Sequence, residues 1–293
     1  MVTSKIIGGL GNQMFQYAVG KSLALKNNTE LYLDIDILSE KNDKSDFIPR
    51  SFELDVFNVH YKTHNSYTAK ICRRIGNRLR QSSVFNGFTH LFDPNKYIYE
   101  LKQSFNPQIL QETGNIYLRG YWQCEKYFLE IEPIIREEFK FKTKPDERNA
   151  ALLKEMHYEN SVSIHIRRGD YISDKKALDY HGICNTDYYQ KAVEILKSEL
   201  DNPVFYVFSD DFQHVNSEFN FPQDFKLIDF NTGEYSYNDM RLMAACKHHI
   251  VANSSFSWWG AWLGANEDKK VIAPVKWFKK AEMDIVPEQW IKI

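Results

Sequence analysis

Short apolar strands and amphipathic helices alternate along the second half of the chain, between residues 161 and 275. The pattern predicts strands at 161–166, 204–208, 225–230, 249–252 and 270–275, and helices at 186–200, 238–247 and 254–265. The apolar residues of helix 186–200 recur at the spacing of one buried helix face; they are Tyr189, Ala192, Val193, Leu196 and Leu200. Alternation with connections this short is typical of a doubly wound α/β domain.

The first half of the chain opens with a pattern of the same kind. A strand, a glycine turn, a helix over 12–26 and a strand over 31–36 form a βαβ unit, which normally pairs its strands in parallel. Residues 115–122 predict a further strand, and the charged, proline-bearing segment 142–149 predicts a linker. We therefore expect two α/β domains, 1–145 and 146–293, each large enough to bury its own core.

Composition argues against several classes of protein. A net charge of −2 gives no general attraction to nucleic acid. The four cysteines, Cys72, Cys124, Cys184 and Cys246, lack any paired spacing and are expected to be reduced thiols. No apolar stretch approaches the roughly 20 residues that span a bilayer, and the first residues do not resemble a signal peptide. These features predict a cytoplasmic protein.

Polar residues cluster where three strands of the second domain end. The clusters are His165, Arg167, Arg168 and Asp170; Ser209, Asp210 and Asp211; and Asn253, Ser254, Ser255 and Ser257. The carboxyl ends of parallel strands meet at one edge of a sheet, where α/β proteins bind their ligands. Taken alone, Asp210 and Asp211 could instead be a helix cap, as could Ser254 and Ser255. Together, the three indicate a binding site.

The residue types at these ends suit a diphosphate. Arginine presents a rigid fork of donors to phosphate oxygens, and the start of a helix adds backbone N–H groups and a positive dipole end. An aspartate that accepts two hydrogen bonds could read the edge of guanine, and Asp239 is the candidate. A charge at a helix N-terminus explains Asp239 at least as well on local grounds.

The glycine turn of the first domain is a weaker signal. Gly9 and Gly11 fit the dinucleotide-binding pattern G-x-G-x-x-G, but Met14 stands at its third position. Asn12 and Gln13 in the same turn are more telling, because amides can bind sugar hydroxyls or a phosphate.

Two further features have competing interpretations. Asp34 and Asp36 on one predicted strand would point to the same face; they could bind a divalent metal, but the polar side of a strand end is the favoured interpretation. The tryptophan-rich helix 254–265 could stack on sugar rings, but we expect it to be buried. The basic helix 69–80 leaves open a contact with an anionic membrane surface, although a solvated arginine face is favoured.

Five segments taken together resemble the bacterial α-1,2-fucosyltransferases, glycosyltransferase family 11. They are HIRRGDY (165–171), GGLGNQMFQYA (8–18), RGYWQCEKYF (119–128), FSDD (208–211) and NSSFSWWGAWL (253–263). The resemblance extends from residue 6 to about residue 275, and the H-x-R-R-x-D element is shared with α-1,6- and protein O-fucosyltransferases.

The resemblance implies an α/β fold of the GT-B type, in which two Rossmann-like domains face each other across a cleft. Residues 1–145 would form the acceptor side, and residues 146–293 would bind GDP-fucose. The expected reaction is inverting and metal-independent, with no cofactor. It moves L-fucose from GDP-β-L-fucose to the 2-hydroxyl of a terminal galactose, in surface polysaccharide or O-antigen synthesis. Peripheral association with the inner face of the cytoplasmic membrane is left open.

The resemblance also assigns site residues. Arg167 would contact the donor diphosphate and, with Asp170 and His165, form the catalytic group. The expected donor-binding residues are Asn12, Arg168, Asp210, Asp239, Asn253, Ser254, Ser255 and Phe256. The general base stays open among Asp170, Asp174, the remoter Asp36, and no side-chain base at all.

Two other function classes compete with this one. An NAD(P)-dependent oxidoreductase would use Gly9, Gly11 and Asp34, but it leaves the HIRRGD element unexplained. A carbohydrate-binding protein without activity could use the aromatic residues, but it needs no arginine and serine clusters at strand ends.

Overall fold

The computed structural model describes residues 1–39, 51–63, 96–102, 104–168, 182–219, 225–278 and 284–293. The chain divides into two compact units, Met1–Lys140 and Phe141–Ile293. The predicted linker 142–149 is too long, because a helix begins at Glu147. Asp146 caps that helix by accepting a hydrogen bond of 2.9 Å from the Asn149 N–H.

Within the described ranges, the first unit contains a five-stranded parallel sheet. Its strands are β1 (Val2–Lys5), β2 (Leu31–Asp34), β3 (Lys62–Thr63), β4 (Lys96–Tyr99) and β5 (Ile116–Arg119). They lie in the order β3-β2-β1-β5-β4. The order reverses between β1 and β5, so a crevice is expected at the carboxyl ends of these two strands.

Three helices of the first unit are described: α1 (Leu10–Lys26), α2 (Asp36–Ser39) and α3 (Glu132–Glu138). Short 3-10 turns occur at Leu54–Val56, Pro107–Gln111, Glu125–Tyr127 and Leu129–Ile131. Helix α1 connects β1 with β2 and packs on both. The βαβ unit predicted from the sequence is confirmed, with parallel pairing of β1 and β2.

The predicted arrangement of Asp34 and Asp36 on one strand is wrong. Strand β2 ends at Asp34, and Asp36 begins α2. The Asp34 carboxylate accepts hydrogen bonds from the Tyr117 hydroxyl and, at 3.2 Å, from the Asp36 N–H. The two side chains therefore do not project from the same strand face. In the part of the chain that is described, no three His, Cys, Asp or Glu side chains are grouped to hold a metal ion.

The second unit is built on a parallel sheet with six described strands. They are β6 (Asn160–Ile166), β7 (Pro203–Ser209), β8 (Lys226–Ile228), β9 (His248–Ile250), β10 (Val271–Ala273) and β11 (Ile291–Lys292). Their spatial order is β8-β7-β6-β9-β10-β11. Counted from β6, this is the 3-2-1-4-5-6 order of a Rossmann fold, with its switch point between β6 and β9.

Helices cover both faces of this second sheet. The described helices are α4 (Glu147–Tyr158), α5 (Thr186–Glu199), α6 (Phe212–Glu218), α7 (Tyr237–Ala245) and α8 (Ser255–Leu263), with a 3-10 turn at Gly233–Tyr235. In β7, Phe205 and Val207 join an apolar cluster with residues of α5, whereas Tyr206 and Phe208 join one with residues of α7. Burial on both faces explains why β7 is an unbroken apolar run.

Two expectations about buried residues are confirmed. Trp258, Trp259 and Trp262 of α8 are almost fully buried, and the Trp258 Nε1–H donates to the Ile285 carbonyl at 2.7 Å. Cys124, Cys184 and Cys246 are buried free thiols.

The remaining expectations concern residues outside the described ranges and the absence of a membrane-spanning helix. Cys72 and the basic segment 69–80 lie outside the described residues. A search of the described helices finds none that combines the length and the apolar character required to cross a membrane.

Candidate functional site

An arginine–aspartate pair lies at the carboxyl ends of β6 and β7, beside the switch point of the second sheet. The Arg167 Nη1 is 2.7 Å from the Asp210 Oδ2, and the Asp210 Oδ1 accepts the Arg168 backbone N–H at 2.9 Å. The two partners meet because β6 and β7 are adjacent and Ile166 pairs with Ser209. The Arg167 and Asp210 side chains are 22% and 26% exposed, so a ligand can reach them.

These contacts revise the expected role of Asp210. Both of its carboxylate oxygens already accept hydrogen bonds from the chain that follows β6. A carboxylate would also repel a phosphate, whereas it orients a guanidinium well. We therefore interpret Asp210 as the residue that positions Arg167, and its direct contact with a donor stays a prediction.

Arg168 offers donors that the protein does not use. Its Nε is buried and has no hydrogen-bond partner among the described residues. A buried N–H without a partner costs free energy, and an anionic ligand would remove that cost. Arg168 therefore remains a candidate for binding the ligand.

His165 lies near the end of β6, two positions before Arg167 in the sequence. Its residue is 5% exposed, and its ring lies 5.9 Å from the ring of Phe256. The pKa of His165 is lowered to about 4, mainly by burial; the Asp210 charge opposes this shift, and the Arg167 charge adds a smaller contribution to it. At neutral pH the imidazole is uncharged and a weak base. Proton transfer therefore gives no support to placing His165 in the catalytic group, as the sequence predicted.

The start of α8 forms the other side of the switch point. Ser254 is the N-cap, and its Oγ accepts the Phe256 N–H at 3.3 Å. The capping interpretation of Ser254 is thus correct. Ser255 opens the helix, and the first-turn contact between Phe256 and His165 places this helix start beside the end of β6. The arrangement combines arginine donors with the positive end of a helix dipole.

Asn253 has an internal role in the described structure. It is 2% exposed, and its Nδ2 donates to the carbonyls of Gly182 and Trp277, both at 3.2 Å. Its Oδ1 accepts the Cys184 thiol at 3.7 Å. The Asn253 side chain therefore joins separate segments of the chain. These bonds indicate a structural role and not the expected contact with the sugar-nucleotide donor.

Asp239 lies in the first turn of α7, which starts at the same edge of the sheet because it follows β8. Its Oδ1 accepts the Asn231 Nδ2 at 2.9 Å, and Asn231 forms a reciprocal amide pair with Asn149. Burial raises the pKa of Asp239 to about 7, and the bond from Asn231 partly opposes this shift. The described contacts join Asp239 to Asn231 and not to the Arg167 group.

The amides of the glycine turn belong to the first unit and have different roles. Gln13 is fully buried; its Nε2 donates to the carbonyls of Gly8 and Ser51, and its Oε1 accepts the Glu53 N–H. The expectation that Gln13 binds a ligand is therefore wrong, because its amide holds the turn against residues 51–53. Asn12 instead accepts a bond of 2.7 Å from Gln123, a residue that the sequence analysis did not single out.

The remaining candidates cannot be placed at the site. Asp170 and Asp174 lie outside the described residues. Asp36 begins α2 in the first unit. Within the second unit, the structure thus brings together Arg167, Arg168 and Asp210, with His165, Phe256 and Ser254 packed around the neighbouring helix start.

Comparison with known proteins identifies the family. Residues 1–293 match the model of Glycosyl transferase family 11. The chain belongs to this family. It is therefore a glycosyltransferase, as the sequence resemblance implied, and its two parallel α/β units give it the predicted GT-B fold class.

Three relatives show how the family is represented. The chain is 36% identical to an alpha-1,2-colitosyltransferase of Escherichia coli, over 100% of this chain and 99% of that protein. It is 32% identical to the O-antigen biosynthesis glycosyltransferase WbnK of Escherichia coli, over 99% of both chains. A galactoside 2-alpha-L-fucosyltransferase, Sec1 of Mus musculus, is 23% identical over 90% of this chain and 64% of that protein.

A solved structure shares the fold of this glycosyltransferase. The fucosyltransferase NodZ from Bradyrhizobium superposes with a TM-score of 0.50 at 15% sequence identity. The match covers 88% of this chain and 91% of that one. At this identity the likeness concerns the fold alone.

The state of His165 predicts how stability depends on pH. Its folded pKa of about 4 lies below the ordinary value of 6.5, so the unfolded chain takes up the proton first as the pH falls. The contribution of neutral His165 is complete above pH 6.5 and is lost towards pH 4. Between pH 7.5 and pH 5, the wild type should therefore lose about 2 kcal/mol more free energy of unfolding than His165→Gln.

Denaturant titrations of both proteins at the two pH values measure this difference. Other buried histidines of the unit, His248 and His249, have lowered pKa values too, so only the difference between wild type and variant isolates His165. Equal losses in the two proteins would show that His165 becomes protonated without cost.

Proposed function

We propose that this family 11 glycosyltransferase transfers L-fucose from GDP-β-L-fucose to the 2-hydroxyl of a terminal galactose, with inversion at the anomeric carbon. The observation that carries the proposal is the pair of adjacent arginines at the switch point, with Arg167 held by Asp210. Such an arrangement suits the oxygens of a diphosphate. The names of the relatives support an α-1,2 linkage, a galactoside acceptor and a role in O-antigen synthesis. GDP-sugars are made in the cytoplasm, so the proposal places the reaction there.

The arginines would act on the leaving group. As the bond between the anomeric carbon and the diphosphate oxygen lengthens, positive charge develops on the fucose ring and negative charge on GDP. Arg167, Arg168 and the first N–H groups of α8 would stabilise the negative charge. Because Asp210 already orients Arg167, little reorganisation is needed when that charge appears. We propose on this ground that the reaction needs no metal ion.

The acceptor hydroxyl attacks the ring from the face opposite the leaving diphosphate, which converts a β-linked donor into an α-linked product. The same hydroxyl loses its proton. A neutral, buried His165 with a pKa of about 4 is a poor acceptor for that proton. Asp170 and Asp174 are the carboxylates that follow the arginines in sequence. A strongly dissociative reaction would need neither.

Colitose is the second candidate for the donor sugar. The relative with 36% identity is named a colitosyltransferase, and colitose is L-fucose without its 3-hydroxyl. The choice between the two sugars therefore depends on whether the protein forms a hydrogen bond to one hydroxyl. Such a bond can discriminate strongly, since a donor that lacks the hydroxyl leaves a buried polar group unpaired.

GDP release, measured with GDP-L-fucose and with GDP-colitose in EDTA, tests the proposal. Lactose and N-acetyllactosamine serve as acceptors, and linkage analysis of the product identifies the position of attachment. Acceptor-dependent release from GDP-L-fucose at least tenfold faster than from GDP-colitose supports the fucosyl function. A preference for GDP-colitose replaces fucose with colitose as the donor sugar. Activity that EDTA removes and Mn²⁺ restores contradicts metal independence.

Arg167→Ala should lower kcat by a factor on the order of 10²–10³, because a charged donor to the leaving group is removed. Steady-state kinetics and circular dichroism check the rate and the fold. Arg136→Ala is the matched control, since Arg136 pairs with Glu132 on a helix of the first unit. Turnover of Arg167→Ala within tenfold of the wild type would reject the site.

We propose further that Asp239 binds the guanine edge, which would give the donor site a pH dependence. Only the ionised carboxylate accepts both N–H groups of the guanine edge, and the pKa of Asp239 is about 7. The Kd of GDP-L-fucose should therefore fall about tenfold between pH 6 and pH 8. Asp239→Asn should bind weakly at both values and lose its preference for GDP over ADP.

Calorimetric titration measures these affinities. Asp187→Asn is the control for a charge at a helix start, because Asp187 lies in the first turn of α5 and is exposed. Retention of the preference for GDP in Asp239→Asn would show that another residue reads the base.

A further inference from the structure

A strained turn follows β5 at the switch point of the first sheet. Trp122 has a φ of +56°, a left-handed conformation that a non-glycine residue adopts only at a cost. Such a conformation persists where the surrounding structure holds it. The turn carries Gln123, which donates to the Asn12 Oδ1 at 2.7 Å across the ends of β5 and β1.

Glu100 holds this turn from the neighbouring strand end. Its Oε2 accepts the Tyr121 N–H at 2.7 Å, and its Oε1 accepts the Trp122 N–H at 3.1 Å. Glu100 follows β4, which is paired with β5. One carboxylate thus satisfies both backbone donors of the strained segment, a use that an amide side chain cannot reproduce because one of its ends is itself a donor.

Gly120 makes the approach of Glu100 possible. A Cβ at Gly120 would lie 2.4 Å from the Glu100 Cβ and 2.8 Å from its Oε2. The Gly120 carbonyl accepts the Gln16 Nε2 at 3.1 Å, while the Gln16 Oε1 accepts the Ile7 N–H at 2.9 Å. Gln16 therefore bridges the ends of β5 and β1 where these strands diverge, and the turn is held from both sides.

The result of this bracing is a fixed amide group at the end of the sheet. Gln123 is 8% exposed, and in the described ranges its Oε1 receives no hydrogen bond from the protein. An amide carbonyl in this position can accept a hydrogen bond from a hydroxyl, and it carries no charge that would attract a phosphate. The chemistry fits a sugar ring better than a diphosphate.

We propose that Gln123 recognises a hydroxyl of the substrate's pyranose ring, and that Glu100 is a positioning residue that acts through Gln123. The inference rests on the proposed sugar transfer and adds a sugar-recognising group to the first unit. The pyranose is either that of the donor or that of the acceptor; the two KM values distinguish these sources.

Steady-state kinetics of Glu100→Gln, Gly120→Ala and Gln123→Ala test the proposal. Each variant should raise the KM for one sugar substrate by about three- to tenfold, the loss of one neutral hydrogen bond. The inhibition constant of GDP, which lacks the sugar, should stay within twofold. Glu112→Gln is the matched control, because Glu112 pairs with the exposed Lys96 at the other end of β4.

A double variant tests whether Glu100 acts through Gln123 or only contributes to the stability of the fold. If Glu100 acts through Gln123, the double variant Glu100→Gln/Gln123→Ala should be no worse than the worse single variant. A rise in the acceptor KM assigns Gln123 to the acceptor sugar, and a rise in the donor KM assigns it to the donor sugar. Unchanged KM values, an equal rise in the inhibition constant of GDP, or additive effects would overturn the proposal.

Failure of the proposed function is recognised separately, as a wild type that transfers no sugar. Titrations of tryptophan fluorescence with GDP-L-fucose and with lactose then measure the same variants without turnover. Binding of one sugar ligand that weakens in Gln123→Ala and Glu100→Gln, but not in Glu112→Gln, supports the inference. Equal binding by all variants rejects it.

Discussion

Reversal of the strand order is the constraint on which the polar chemistry of both units depends. In each sheet, two neighbouring parallel strands are far apart in sequence, β1 and β5 in one unit and β6 and β9 in the other. Backbone groups at these strand ends lose their ladder partners, and buried polar groups must find others. Gln16 meets this need in the first unit and Asn253 in the second, each by binding two separate backbone segments. The amides at the switch points are thus largely structural, and the few that remain accessible stand out.

The second unit places two positive charges next to each other at the end of β6. Two adjacent arginines repel each other, and the Asp210 carboxylate offsets that repulsion by binding the guanidinium of one and the backbone of the other. A diphosphate could accept further hydrogen bonds from the two guanidinium groups. Burial lowers the pKa of His165 and keeps the ring neutral, although the Asp210 charge opposes this shift. The arginine donors at this edge of the sheet therefore suit an anionic ligand.

Much of this could be predicted from the sequence, and the reasons are local. Apolar runs and helical spacing located every strand and helix predicted for the second unit to within a few residues, because periodicity is determined by which face is buried. The cluster of polar residues at strand ends was also correctly read as one edge of a sheet, since parallel pairing follows from the alternation. The predicted linker extended too far because Asp146 caps a helix that begins at Glu147. In a charged segment, the sequence does not distinguish a capping aspartate from a solvated one.

The contacts that assign roles could not be predicted in the same way. Asp210 lies 42 positions from Arg168, and Gln123 lies 111 positions from Asn12. Nothing in the local pattern distinguishes a ligand-binding amide from one such as Gln13 that binds backbone. Glu100 gives no local signal either: a lone glutamate after a short strand is ordinarily a solvated residue, and only the left-handed Trp122 beside it shows why a carboxylate is required.

The contrast between the two switch points follows from the charges of the proposed reaction. A leaving diphosphate gains negative charge in the transition state, so fixed positive groups lower the barrier. The transferred sugar ring gains positive charge at the same time, and a cation bound to its hydroxyls would raise the barrier. A neutral amide, such as the one proposed to recognise a hydroxyl at Gln123, would bind without adding charge. A glycosyltransferase that relies on arginine at the diphosphate thus benefits from neutral groups at the sugar, and their precision must come from bracing such as that of Glu100 rather than from electrostatic attraction.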